Sequence, residues 1–304
     1  MVEVEIRDSP DRMKLGLSGF EWIVIAILGF VQAPGLLVLA EVWSEVEYAS
    51  HGFLVPLVAL WAATAHRETL SRLPPRREPA GFALIALATL ASFGALVVGD
   101  PTAVGVTLVG TVWLAVWALR GRAWVRVLAF PLGYLVFLIP LPSAWVTPLI
   151  VKLQILVSSA GVALLRIGGV PVFREGNVLT LPGDTSLFVA EACSGITSLI
   201  TLLPIGVFIA YFTEGAWTRR ALLVLAVLPI ALAGNLLRVI LTVLLAIHVD
   251  VEFATEGPLH EWAGVATYVL GCVLLLAIGR ALRWAWPESE SELGSAPEPG
   301  SRVA

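Results

Sequence analysis

The stretch Val189-Ala190-Glu191-Ala192-Cys193-Ser194-Gly195-Ile196 decides how the chain is read. It closes a polar, turn-rich segment and opens a long apolar run. It therefore sets a thiol, with Glu191 two residues before it, where a lipid-embedded helix meets water. A helix N-terminus lowers a thiol's pKa, and Gly195 lets another backbone or a peptide come close. The plainer reading is a small residue packed at a helix start. Cys272 is the internal control. It lies about twelve residues into the last apolar run, roughly 18 Å along a helix axis, among Leu and Val, and reads as core.

Working outward, the whole chain is too apolar for water. Of 304 residues, 58% are hydrophobic and 14% charged, and the mean hydropathy is +0.89. A soluble domain carries roughly 25% charged residues. The expectation is an all-α polytopic membrane protein, with the lipid bilayer as its surroundings and no nucleic-acid partner. The formal net charge of -4 says little, because the two signs are segregated along the chain. Two cysteines make no disulfide framework. A large soluble domain, an internal repeat and a nucleotide-binding glycine motif are all missing, and no cleavable signal peptide is expected.

A bilayer core takes about 20 apolar residues in a helix. On that measure residues 1–16 are a cytoplasmic N-terminal segment, 17–284 the membrane-embedded domain and 285–304 a disordered acidic tail. About eight spans are expected: roughly 17–40, a second ending near 65, 80–99, a fourth running to 119, 127–141, 193–213, 221–244 and 260–281. Residues 144–167 carry Lys152, Gln154 and Arg166 and are expected to lie in the interface. Residues 170–181 read as a small extracytoplasmic β-hairpin about a Glu175-Gly176-Asn177 turn, with 186–190 able to add a third short strand.

Basic residues set the orientation. With the N-terminus inside and eight spans, fifteen of the nineteen Lys and Arg residues fall inside. Lys152, Arg166 and Arg174 fall outside, and Arg238 is within the membrane. A fully spanning 144–167 would flip every later loop and turn Arg219 and Arg220 outward. The expected consequence is that Cys193, His260 and the hairpin share the outer face.

Arg238 is the strongest anomaly, because a permanent charge in a membrane helix costs several kcal/mol unless paired or hydrated. It lies close enough to the outer helix end to snorkel. Asn235, three positions earlier, shares its face, and an amide with a guanidinium suits an oxyanion or a carboxylate. His260 follows Gly257-Pro258-Leu259 at the start of the last span. It is placed either as an interfacial histidine or as a proton shuttle. His51, in Tyr48-Ala49-Ser50-His51-Gly52, lies on the same expected face; His248 is a weaker competitor and His66 sits in a basic inside loop. Four scattered histidines show no metal-ligand spacing, so neither a metal nor another cofactor is expected. A thiol, a guanidinium and an imidazole are the parts that acyl transfer from a peptide bond needs.

Glu191-Ala192-Cys193-Ser194-Gly195-Ile196, then Asn235-x-x-Arg238, then His260, resembles the exosortase/archaeosortase family of membrane transpeptidases. Tyr48-x-x-His51-Gly52 with Pro56, and Arg174-Glu175-Gly176-Asn177, extend the resemblance over about positions 45 to 265. It implies Cys193 as nucleophile, Arg238 as the essential arginine and His260 as the histidine, with Glu191, Asn235, Ser194, Gly195 and His51 in substrate-binding or supporting roles. Thr197 departs from the basic or amide residue that often follows the Ile. The implied partners are membrane-anchored secreted proteins with a C-terminal sorting tail of the Pro-Glu-Pro type, and the implied place is a bacterial inner membrane. Pro297-Glu298-Pro299 of this chain is no such signal, since no span follows it.

Two other classes stand beside this one. A transporter or lipid-binding membrane protein would use Arg238 structurally or for an anionic head group, but the paired broken helices or repeats of transporters are not seen. An intramembrane serine protease would need a Ser–His pair, and Ser194 lacks a glycine two residues before it. Hydrolysis against transfer, the acceptor, the sorting motif and the oligomeric state are left open by the sequence.

Overall fold

The computed structural model describes residues 16–176, 178–182, 185–188, 196–255 and 258–286. Both ends of the chain, including the expected N-terminal segment and most of the expected tail, lie outside the described residues. The chain divides into two compact units, one of residues 1–42, 52–140 and 297–304 and one of residues 43–51 and 141–296.

In the first unit, α1 (Gly19–Glu45) enters this unit with most of its length. The 3-10 segment Glu47–Phe53, whose residues 47–51 count with the second unit, precedes α2 (Val55–Thr64) and α3 (Arg67–Arg72). The antiparallel pair α4 (Pro79–Val98) and α5 (Pro101–Arg120) follows. Both helices of the pair start on a proline, whose fixed φ and missing N–H suit a first turn. The Asp100 carboxylate caps α5 by accepting from the Thr102 N–H. Gly81 permits the close approach: a Cβ there would come within 2.7 Å of Ala118. Gln32 on α1 donates to Ser92 Oγ at 3.2 Å and to Thr111 Oγ1 at 2.8 Å. These bonds tie α1 to the pair with a buried polar group that lipid could not satisfy.

After Gly121 (φ 87°) the chain returns along α5 as α6 (Arg122–Val127), α7 (Ala129–Tyr134) and a 3-10 turn, Leu135–Leu138. Trp113 Nε1 donates to the Leu132 carbonyl at 2.9 Å and Thr102 Oγ1 donates to the Pro140 carbonyl at 2.9 Å. The return therefore runs the length of α5, as a broken helix rather than the single span expected at 127–141.

In the second unit, α8 (Ser143–Ile167) leads to the strands β1 (Phe173–Glu175), β2 (Val178–Leu181) and β3 (Thr185–Phe188). The helices α9 (Ile196–Thr213), α10 (Trp217–His248), α11 (Val251–Thr255) and α12 (Pro258–Ala285) follow. The strands form one antiparallel meander, β1-β2-β3, with Glu175 opposite Val178 and Val178 opposite Phe188. The expected hairpin is present and the third strand is part of it. Gly176, at φ 62°, takes the left-handed turn position. The sheet is seated on two helices: Val172, Leu179 and Leu181 are buried with Val157, Val162 and Leu165 of α8 and Val239 and Val243 of α10. Arg166 Nε donates to the Val172 carbonyl at 2.8 Å, and its guanidinium covers the Phe173 ring.

Six described helices are long and apolar enough to cross a bilayer: α1, α4, α5, α8, α10 and the Gly264–Ala285 part of α12. The expected count of eight is therefore not reproduced. The expected second span has only the ten residues of α2, about 15 Å of helix. The fifth is broken, and the sixth is shorter than the rest. The reverse correction concerns 144–167, expected at the interface. It is one continuous 25-residue helix of spanning length, packed along α10 through Gly161 against Leu236 and Val239. Lys152, Gln154 and Arg166 suggested a water-facing side, but Gln154 is buried against protein and Arg166 bonds the Val172 carbonyl.

At the end of α9, α10 and α12 away from the sheet, Glu214 is fully buried between two arginines. Arg283 Nη1 donates to its Oε1, and Arg219 Nε lies 3.3 Å from its Oε2. Removing one partner of a buried ion pair leaves an uncompensated charge and costs about 3–5 kcal/mol. Glu214→Ala is expected to lower the thermal unfolding midpoint in detergent, well beyond Arg283→Ala, whose side chain is partly exposed.

His66, before α3, is 8% exposed, and burial pushes its imidazole below the ordinary value of 6.5. The fold thus favours the neutral ring. Its contribution is complete above pH 6.5 and is lost as the pH falls below that, since the unfolded chain takes up the proton first. His66→Gln should flatten the loss of thermal stability on acidification from pH 7.5 to 5.5.

Candidate active site

The sequence-derived site falls in the second unit, and its centre is Arg238. The buried side of α10 runs Leu223, Val227, Ala231, Asn235, Val239 and Thr242, the spacing of one helix face. Asn235 lies in it with no exposed surface. Arg238 is one position off that row, half-buried, and turned toward α12. A Cβ placed on Gly264 would lie 3.8 Å from Arg238 Nη2 and 3.9 Å from its Cζ. The guanidinium thus faces Gly264, with room for no more than a methyl group between them.

One turn down the pair, a Cβ on Gly234 would come within 2.7 Å of Thr267 Cγ2. Gly234 facing Thr267 and Arg238 facing Gly264 are successive steps of one antiparallel contact. Its next step reaches Thr242 on α10 and His260 on α12, since four residues make about one turn. His260 is the third residue of α12; its side chain lies outside the described residues. Helix geometry therefore brings the position of His260 within one turn of the Arg238 guanidinium.

Glu191, Cys193, Ser194 and Gly195 lie outside the described residues, so their expected roles are untouched by the geometry. The residues on either side are described. β3 ends at Phe188 and α9 begins at Ile196. Thr197, in the first turn of α9, is 3% exposed, and its Oγ1 is buried with no hydrogen-bond partner among the described residues. Ile200, the next turn, packs with Val146, Ile150 and Leu153 of α8 and with Tyr48. The Tyr48–His51 segment is thereby brought to the start of α9. Within it, His51 Nδ1 lies 3.1 Å from the Tyr48 carbonyl, which orients the ring locally.

His248 faces its own helix, Nδ1 2.8 Å from the Leu244 carbonyl, and is not brought to Arg238. Cys272 is packed with the α9–α10–α12 core, as its surroundings in the sequence indicate. Among the described residues no group of three or more His, Cys, Asp or Glu side chains could hold a metal ion. Sequence reasoning missed Gly264, Gly234 and Thr267. The available signal was a glycine one helical turn after His260, in a helix that has an intramembrane charge to accommodate.

A model of the transmembrane exosortase family matches residues 43–277, over three quarters of the chain. The chain belongs to the transmembrane exosortase family. That family is known for transpeptidases and proteases, and the match spans the Tyr48–His51 segment, the sheet, Arg238 and His260 together. No curated protein and no solved structure matches the chain. For an exosortase, a guanidinium held against α12 a turn from a histidine position is an arrangement able to steady a thiolate or an oxyanion.

The space at Gly264 limits what can face the guanidinium. A methyl group at 3.8 Å is ordinary van der Waals contact, whereas a longer side chain occupies the space of the guanidinium. Gly264→Ala is expected to leave the thermal unfolding midpoint in detergent close to wild type. Gly264→Leu, which overpacks the contact of α10 with α12 at a cost of about 1–3 kcal/mol, is expected to lower it by several degrees.

Proposed function

We propose that this protein is a membrane cysteine transpeptidase or protease that removes C-terminal sorting tails from secreted proteins at the outer face of a bacterial inner membrane. The carrying observation is the Arg238 guanidinium against Gly264, one turn from His260, in a chain of the exosortase family. The Cys193 thiolate attacks the carbonyl carbon of the scissile peptide bond. The carbonyl oxygen becomes an oxyanion that the Arg238 guanidinium faces. As the C–N bond breaks, the His260 imidazolium gives its proton to the leaving amine, and an acyl-enzyme thioester remains. An amine acceptor or water then attacks that thioester, passes its proton to His260 and frees the Cys193 sulfur. No cofactor or metal takes part.

The supporting roles are those the resemblance implies. Asn235, buried on α10 one turn before Arg238, steadies the turn from which Arg238 projects. Tyr48, which packs on the same α8 residues as Ile200 of α9, and His51 beside it in sequence support the substrate. Ser194 and Gly195, small residues after the thiol in sequence, leave room for a peptide. Glu191 orients His260 or the substrate.

The orientation rests on the arginines and not on the expected count of spans, because α2 and the broken return over 122–138 are not full-length spans whereas α8 is. Arg219, Arg220 and Arg283 gather at the end of α9, α10 and α12 opposite the sheet, and an excess of basic residues marks the inside. The sheet, the start of α9 and the start of α12 then face outward, where exported substrates arrive.

The test is co-expression with a protein bearing a motif, span and basic tail, with intact mass measured on its C-terminus. Cys193→Ala should abolish processing, by at least about a thousandfold. Arg238→Gln should reduce it about 100- to 1000-fold. Unchanged processing by Cys193→Ala would remove the nucleophile assignment.

A further inference from the structure

The first unit holds two adjoining cavities that the proposed chemistry does not use. The larger, about 610 Å³, is lined by Ser18, Glu21, Leu73, Arg77 and Arg120 among others. The smaller, about 450 Å³, lies between α1 and α5 and is walled mostly by apolar side chains, with Gln32, Thr111 and, at the shared wall, Arg120 its polar exceptions. Leu17, Leu119, Arg120 and Trp124 line both, so the two share a wall. Ile25 and Gly29, on the wall of the apolar one, are exposed on the outside of α1, the surface that meets lipid.

The charges differ sharply between the two. Arg120 is neutralised by Glu21 at 2.8 Å, and its guanidinium covers the Trp124 ring at 4.8 Å. It therefore belongs to the wall. Arg77 is exposed, with its guanidinium 4.4 Å from the centre of the Phe20 ring. A stacked guanidinium is held flat and keeps its N–H edges for a planar or tetrahedral oxyanion. Around it the segments 66–78 and 120–126 carry Arg67, Arg72, Arg76, Arg122 and Arg126 against Glu68 and Glu78. The field at this mouth is positive.

We infer that the first unit binds one anionic phospholipid. Its phosphate sits at Arg77 in the polar cavity, and an acyl chain fills the apolar cavity beside Gly29 and Gln32. The match is one of chemistry: a cationic mouth sharing a wall with a dry, lipid-open cavity is complementary to an acidic head group on an apolar chain. The volumes fall in the range of small-molecule sites. The site is independent of Cys193, Arg238 and His260.

The test uses full-length protein purified in a neutral detergent. Thermal unfolding is followed with added phosphatidylglycerol, phosphatidylcholine or inorganic phosphate, and bound lipid is counted by native mass spectrometry. Phosphatidylglycerol is expected to raise the midpoint by on the order of 5 °C, with one lipid retained. Phosphatidylcholine and phosphate are expected to do little. Arg77→Gln should weaken the effect about tenfold in lipid concentration, and Gly29→Phe, which fills the apolar cavity where a Cβ meets nothing within 4 Å, should remove it. An equal shift with phosphatidylcholine, or one reproduced by phosphate alone, overturns the inference. So does a phosphatidylglycerol effect that survives both substitutions in folded protein.

Discussion

A permanent charge within an apolar helix bundle is the constraint on which the second unit is built. Arg238 ends in a broad planar guanidinium, so α10 needs a neighbour that gives it space and keeps it near polar groups. Glycine at 264 supplies the space. Glycine at 234 draws the same two helices together one turn lower, against Thr267. Both contacts belong to one register of α10 on α12, and that register sets the position of His260 relative to Arg238. An intramembrane charge and a close helix contact thus share one pair of helices.

The sheet obeys a related rule. Three short strands have too little apolar surface to stand alone, so their stability comes from the ends of α8 and α10, where Val172, Leu179 and Leu181 are buried. Arg166 anchors the first strand through the Val172 carbonyl. The chain thus leaves a rigid seat at Phe188 and rejoins a rigid helix at Ile196, and the segment between them carries the thiol.

Much of this was legible in residues and their spacing. Hydropathy alone located α4, α5, α10 and α12, because apolar runs of about 20 residues leave no other solution in lipid. The Gly176 turn announced the hairpin. The motif around Cys193, with Arg238 and His260, led to the family that the match over residues 43–277 shows. What the sequence hid was pairwise. Residues 144–167 looked interfacial because Lys152, Gln154 and Arg166 interrupt the apolar run, yet Gln154 is buried against protein. The return along α5 looked like one helix because nothing in 127–141 reports that the chain tightens into 3-10 geometry after Tyr134. Gly264 was silent because a glycine's role depends on what faces it, and composition does not record facing.

The ion cluster about Glu214 deserves a last thought in mechanical terms. Arg219 and Arg283 grip one buried carboxylate, and the chain itself turns between α9 and α10 at the same place. Three long rods pinned together at the base behave as a set of tongs. A slight change of splay is negligible at the pin and largest at the tips. The tips are the Ile196 start of one rod and the Pro258 start of another, so a loosened salt cluster would be felt most in the spacing of those two helix starts.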